Sequence, residues 1–401
     1  MSGNMRVLLG ITGSIAIYKV CELIRLFNKS GVELVPIMTE DSKRFISPLL
    51  IESLSGGKVY SDMFDESGGA FYHIMLSRGA NLILIAPATA NTIAKISSGI
   101  ADNLLTSTVL ASDIPVLFAP AMNVKMFENP ITQMNIKRLT QLKRFSFIMP
   151  ESGELACGES GYGRLADIND IFDATMRLIF PNKILSGKRV MITAGPTREF
   201  MDPVRFLSNP SSGKMGYELS RIASWLGADV TLVSGPVQIK PPYGVKVINV
   251  VDAEEMKNAV LNVKGIMDLL VMNAAVSDWR FDRRYKDKFK RADGTPPISL
   301  KENPDILELA AKSKKYRFTL GFAAESLKII ENATEKMSRK QIDAIVVNDI
   351  SRKDIGFGQE ENEGKIIFRD GSIVDIERCS KRDMALKIFL ELTKRFGWQK
   401  R

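Results

Sequence analysis

An apolar strand that runs straight into a glycine turn occurs twice in this chain, in MRVLLGITGS from Met5 and in KRVMITAGPT from Lys188. After the first, strand-like and helix-like segments alternate. RVLLGIT is followed by the amphipathic SIAIYKVCELIRLFNKSG, VELVPIMT by SPLLIESLSG, and ANLILIAPAT by one long helical stretch, ANTIAKISSGIADNLLTSTVLAS, before IPVLFAPAM. The helical IFDATMRLIF and the linker PNKILSG then precede the second start, after which GADVTLVSGPV, KVINVV, MDLLVMNAAVSD, RFTLGFAAES and DAIVVND read as strands. Strands that are apolar on both faces and alternate with helices belong to parallel sheets covered on both sides. The pattern predicts an α/β chain of two doubly wound, Rossmann-like domains, residues 1–187 and 188–401. Ligands are expected at the carboxyl ends of their strands.

Composition narrows the partners. Apolar residues make up 45% and charged residues 25%, the balance of a soluble globular protein. The formal charge of +9 points to anionic partners, and without a like-charge tail a phosphorylated small molecule ranks above nucleic acid or membrane. The three cysteines, Cys21, Cys157 and Cys379, are far apart and form no C-x-x-C pair, which argues against a disulfide framework or zinc site and for a reducing cytoplasm. Gly10, Gly13 and Ser14 interrupt the opening apolar run, so it reads as strand and turn rather than a signal peptide. No run of about 18 apolar residues is present, and no membrane span is expected.

Several polar groups fall where the predicted strands end. GITGSIA places Gly13, Ser14 and Ile15 at the first turn, MTEDS places Thr39 at the second, and APATANTIAK places Thr89 and Asn91 at the third. SSGIADN adds Asp102. Each alone is an ordinary polar turn or cap. Asn123 projects after a strand in APAMNVKMFENP, and its uncharged donor and acceptor suit a carboxylate. Cys157 lies in the glycine-rich GELACGESGYGRL, an unusual setting for a packed cysteine and a fitting one for a reactive thiol. His73 is the only histidine, hence the only side chain whose ordinary pKa lies near neutrality.

Taken together, GITGSIA, the histidine of YHIMLSRGA, APATANTIAK, PAMNVKM and ACGESGYGRL resemble the flavin-dependent cysteine decarboxylases. The likeness is greatest to the phosphopantothenoylcysteine decarboxylase half of the bifunctional coenzyme A enzymes, over nearly all of residues 5–187. It implies a flavodoxin-like domain holding FMN through Gly13, Ser14, Ile15, Thr39, Thr89, Asn91 and Asp102. It also implies His73 as base, Asn123 as binder of the departing carboxylate and Cys157 as proton donor. Phe127 stands where that motif commonly carries a tryptophan or tyrosine.

In the second half, ITAGPTREFMDPVRFLSNPSSGKMG leads into a helix but is not a Walker loop, because Met215 follows Gly213-Lys214. NAAVSDWRFDRRYKDKFKRADG holds seven basic residues from Arg280 to Arg291. With KENPDIL and GFAAES these stretches are similar to the phosphopantothenate–cysteine ligase half of the same family. The resemblance implies CTP-dependent joining of cysteine to 4′-phosphopantothenate through an acyl cytidylate, with Mg2+ or Mn2+ and Asp278 as a metal ligand. It assigns Arg205 and Asn209 to the substrate and acyl cytidylate, and Lys288 to nucleotidyl transfer. Lys286 and Lys290 remain alternatives to Lys288 in RRYKDKFKR. For CTP it implies Asn273, Ala274, Ala275, Asp278, Lys288, Pro304, Asp305, Ile306, Leu307, Phe322, Lys336 and Lys340. CTP and ATP both remain open. The family also implies a homo-oligomer, a dodecamer built from trimeric decarboxylase and dimeric ligase contacts. Two rival readings stand beside it: nicotinamide-dependent Rossmann domains, which would leave Cys157 unexplained, and a flavin-binding regulatory subunit, which would not need the lysine-rich loop.

Overall fold

The computed structural model describes residues 5–64, 71–154, 160–290, 294–296, 298–325, 329–349, 359 and 361–398. The chain forms two compact units, Met1–Pro181 and Asn182–Arg401. Residues 182–187, which the sequence pattern groups with the first half, pack within the second unit. The Leu185 amide donates to Leu226 O at 3.0 Å, and Lys183 Nζ to Trp225 O at 2.7 Å.

In the first unit β1 (Arg6–Ile11), β2 (Glu33–Met38), β3 (Leu82–Ala88), β4 (Val116–Pro120) and β5 (Phe145–Phe147) pair in parallel in the order β2-β1-β3-β4-β5. This is the flavodoxin-like order, with its switch point between β1 and β3. All seven residues of β3 are buried, which is why its sequence is continuously apolar. The helix Val20–Lys29 buries Val20, Leu23, Ile24 and Phe27, one face at helical spacing. Phe27 meets Phe172 of the helix Ile168–Ile179 with ring centres 5.1 Å apart.

Two expectations change here. The helical stretch after β3 is two helices, Ala90–Ser98 and Leu104–Leu110. Gly99 closes the first in the left-handed region (φ 72°), and Asn103 caps the second through the Thr106 amide. The glycine-rich segment read as a loop is flanked by an antiparallel pair, β6 (Glu151–Glu154) and β7 (Ser160–Arg164). Cys157 lies outside the described residues.

The second unit carries β8 (Arg189–Ala194), the short pair β9 (Arg198–Phe200) and β10 (Phe206–Ser208), β11 (Asp229–Ser234), β12 (Lys246–Asn249) and β13 (Met267–Met272). These are followed by the short pair β14 (Trp279–Phe281) and β15 (Leu300–Glu302), β16 (Tyr316–Glu325), β17 (Ala344–Asp349), β18 (Glu361–Phe368) and β19 (Ile373–Ser380). The main sheet runs β12-β11-β8-β13-β16-β17-β18-β19. Its first six strands are parallel in the dinucleotide-fold order, with the switch point between β8 and β13. The last two extend it antiparallel. The helix Lys214–Trp225 lies close on β8 because Gly216 has no side chain; a Cβ there would stand 2.5 Å from Ala194 Cβ. The fully buried Leu, Ile and Val of these strands contribute roughly 1.5–3 kcal/mol each.

Candidate active sites

In the first unit the strand exits are stitched together by one hydroxyl. Thr12, buried just beyond β1, donates to Pro87 O (2.6 Å) and accepts the Thr89 amide (3.1 Å), joining the two sides of the switch point. Gly13 lets this turn lie against the segment after β2: a Cβ on it would come within 2.6 Å of Asp41 Cβ. Ser14 caps the short helix Ile15–Lys19 by accepting from the Ala16 amide, and Ile15 is exposed. The Thr39 amide donates to Ile11 O at 3.0 Å. Thr89 caps Ala90–Ser98 through the Thr92 amide at 3.3 Å, and Asn91 is exposed in that helix's first turn. Gly13, Ser14, Ile15, Thr39, Thr89 and Asn91 therefore all follow the carboxyl ends of β1, β2 and β3.

Asp102 follows the end of Ala90–Ser98 rather than a strand and is paired with Lys95 at 2.6 Å. The Lys95 hydrogen bond holds its carboxyl below the ordinary value. Asn123 leaves β4 and caps Val124–Glu128, with its Oδ1 accepting from the Lys125 amide at 2.8 Å. The polarity it can offer a carboxylate is thus that of its Nδ2 donor. The Met122 amide donates to Gly163 O at 3.0 Å, which ties the β6–β7 pair to Asn123's turn. His73 is half-buried on the one-turn helix Tyr72–Met75, which Tyr72 and Leu76 root in the core.

In the second unit a cleft of about 660 Å³ opens at the carboxyl ends of β13, β16 and β17. The exit of β13 supplies Asn273, Ala274, Ala275, Asp278 and Trp279 to its wall. Thr193 Oγ1 sets this wall by accepting the Asn273 and Ala274 amides at 3.2 and 3.1 Å. Asn209, also in the lining, donates through Nδ2 to Val276 O at 3.0 Å. Pro304, Asp305, Ile306 and Leu307 form a second wall, and Phe322, Lys336 and Lys340 a third. Asp305 caps the helix Ile306–Lys312 and pairs with Lys340 at 2.7 Å. Burial pushes its carboxyl upward, but the Lys340 and Glu308 hydrogen bonds outweigh burial and leave it below the ordinary value.

Among the lining residues that escaped the sequence reading are Asn303 and Asn348. Asn303 donates through Nδ2 to Ser277 O at 2.8 Å, while its Oδ1 is buried and accepts no hydrogen bond. Asn348, near the end of β17, also has a buried Oδ1 without a partner. The signal for Asn348 was available: it ends a strand as Asn273 follows one. A buried acceptor left unpaired costs about 1–3 kcal/mol, so both oxygens are held behind the cleft surface at the expense of stability.

Lys288 and Arg205 do not line the cleft. Lys288 is exposed in the segment after β14, and Arg205 Nη1 pairs with Asp202 at 2.9 Å. Asp278 is exposed, and among the described residues no three His, Cys, Asp or Glu side chains converge as a metal site. No helix among the described residues is long and apolar enough to cross a membrane.

With this geometry in place, comparison with known families defines the class. The flavoprotein family profile matches residues 1–180, and that of the DNA/pantothenate metabolism flavoprotein C-terminal domain matches residues 185–396. The chain is thus a flavoprotein unit joined to a pantothenate-metabolism unit. It is 42% identical to the coenzyme A biosynthesis bifunctional protein CoaBC of Bacillus subtilis, over 98% of this chain and 97% of that one. It is 38% identical to the Escherichia coli protein of the same name, over 93% of each. A crystal structure of the C-terminal domain of a CoaBC protein is 35% identical, covers 54% of this chain and 99% of that chain, and superposes with a TM-score of 0.46. The chain belongs to the coenzyme A biosynthesis bifunctional protein family. It is a bifunctional enzyme that couples an FMN-dependent decarboxylase unit to a ligase unit.

Proposed function

We propose that the second unit ligates cysteine to 4′-phosphopantothenate through an acyl cytidylate formed from CTP, with Mg2+ or Mn2+, and that the first unit decarboxylates the product to 4′-phosphopantetheine. The observation that carries the ligase assignment is the cleft itself. Lys336 and Lys340 supply positive charge for phosphates, and the Asn273, Ala274 and Ala275 wall lies at the strand exit where doubly wound sheets take their ligands. A carboxylate oxygen of phosphopantothenate attacks the α-phosphorus and pyrophosphate leaves. The cysteine amine then attacks the acyl carbon and displaces CMP. Lys288 stabilises charge in the first step, while Asn209 and Arg205 hold the acyl cytidylate and substrate. Among the described residues no carboxylate cluster stands ready in the cleft, so a divalent ion would be held chiefly by nucleotide oxygens, with Asp278 at its side.

The strand exits of the first unit fit FMN. They lie at the switch point, and Thr89 and Asn91 stand at a helix start that favours an anionic group. The flavin supplies the oxidation that makes carbon dioxide loss possible and its reversal afterwards. His73 removes a proton from the substrate, Asn123 holds the carboxylate that departs, and Cys157 returns a proton to the product. A cytoplasmic homo-oligomer, a dodecamer with trimeric first-unit and dimeric second-unit contacts, completes this reading; exposed Ile15, Tyr18, Leu49 and Met134 support a further contact surface on the first unit.

Incubating the full-length protein with CTP, Mg2+ and phosphopantothenate tests the ligase reading. Pyrophosphate is expected before cysteine is added, and CMP and carbon dioxide after it. Pyrophosphate release without phosphopantothenate, or from ATP in preference to CTP, would overturn it.

A further inference from the structure

Asp202 lies in the turn between β9 and β10, and its side chain is fully buried. Its two oxygens do different work. Oδ1 accepts the Val204 and Arg205 amides, both at 2.8 Å, and so builds its own turn. Oδ2 accepts Arg205 Nη1 at 2.9 Å and the amide of Phe289, 87 residues away, at 3.3 Å. Arg205 Nη1 also donates to Phe289 O at 3.1 Å, so the Phe289 backbone is held on both its N–H and its C=O. A parallel bond runs from the Tyr285 amide to Met201 O at 2.7 Å, and the Tyr285 and Phe289 rings meet with centres 5.4 Å apart.

We propose that Asp202 is a positioning residue for ligation: through Oδ2 and Arg205 it fixes the basic segment that carries Lys288, next to Phe289. The inference rests on the ligase reading above. Lysines crowded in one segment repel one another and have long, mobile stems, so a lysine that must meet a developing charge needs its backbone held from elsewhere. Burial pushes the Asp202 carboxyl upward, yet the Val204, Arg205 and Phe289 amides outweigh this and hold it below the ordinary value, in the ionised form that only accepts. Asparagine would keep the Oδ1 bonds that build the turn but set an NH2 group against the Phe289 amide.

The test uses full-length FMN-loaded protein and the Asp202→Asn variant. Amide exchange at Phe289, CTP-dependent pyrophosphate release and decarboxylation are measured side by side. In the unaltered protein the Phe289 amide should exchange at least tenfold more slowly than the neighbouring Asp287 amide. In Asp202→Asn that protection should vanish and kcat for pyrophosphate release should fall roughly 10²-fold, the scale of a misplaced catalytic group. KM for CTP should change little and decarboxylation should be unchanged. An unprotected Phe289 in the starting protein would overturn the anchor without any variant being needed. Lost protection with unchanged pyrophosphate release would show that the anchor is real but serves no catalytic lysine. If Asp202→Asn keeps its anchor while Lys288→Gln alone abolishes release, the ligase reading survives and the positioning role does not. An equal rise in KM and fall in kcat, with a lowered melting temperature, would mark Asp202 as merely structural.

Discussion

Thr12 and Thr193 occupy the same place in the two units, at the exit of the first strand and beside the switch point. Thr12 Oγ1 bonds both the Pro87 carbonyl and the Thr89 amide, while Thr193 Oγ1 accepts the Asn273 and Ala274 amides. Beyond this shared tie the units diverge. In the first, the polar side chains at the exits are helix caps: Ser14, Thr89 and Asn123 all spend an oxygen on a backbone amide. In the second, Asn303 and Asn348 keep buried oxygens without donors beside Lys336 and Lys340. The same sheet logic therefore yields exits suited to an anion in one unit and a cleft suited to a nucleotide in the other. What decides is which side chains each set of exits brings together.

The largest effect should separate the units altogether. His73→Asn should lower carbon dioxide release by about 10²–10⁴ while leaving pyrophosphate release intact. A loss of both activities would mean that the units do not work separately. Next, Lys288→Gln should lower pyrophosphate release by about 10²–10³, the scale of removing one preorganised charge partner. Lys286→Gln and Lys290→Gln should change it less than tenfold. If either rivals Lys288, the assignment moves to that residue.

The two threonines test the comparison directly. Thr193→Val leaves two amides without an acceptor and should raise KM for CTP about tenfold, from a cost near 1–3 kcal/mol. Thr12→Val should speed FMN release by a similar factor, and serine at either position should restore the starting behaviour. If valine at residue 193 leaves nucleotide kinetics unchanged, the shared tie is packing alone. Asn348→Leu should weaken CTP binding several-fold while leaving the free protein at least as stable, because an unpaired buried acceptor has gone. Thermal melts with and without CTP would show it, and a large loss of stability in the free protein would contradict the assignment.

The smallest effect is one of pH. Asp305 is held below its ordinary value, so the Asp305–Lys340 contact contributes stability above the unfolded carboxyl pKa, about 3.9. That contribution fades as pH falls through the lower folded value. Lys340→Met should therefore flatten the acid side of the second unit's melting profile and leave its shape near neutrality unchanged. An unaltered acid limb would show that the pair is not felt.

Much of this molecule was legible in its residues, though unevenly. The strand exits carried Gly13, Thr89, Asn123 and Asn273, since a parallel strand's carboxyl end follows from its apolar run. The break at Gly99 was less visible, because residues 90–112 keep helical spacing on both sides and only the left-handed Gly99 and the Asn103 cap divide them. The antiparallel β18 and β19 were missed because their apolar runs are brief: KIIF is preceded by the polar ENEG, and half of IVDIERCS is exposed.

The sequence alone determined the parallel cores of two sheets, their exits and the motifs that name the family, because period and punctuation are local properties. Tertiary structure decided which exits meet. Asn303, Phe322, Lys340 and Asn348 reach one cleft from different elements, and Asp202 finds the Phe289 amide across 87 residues. Such meetings depend on strand order and on where buried polar atoms can be satisfied. No window of neighbouring residues contains either.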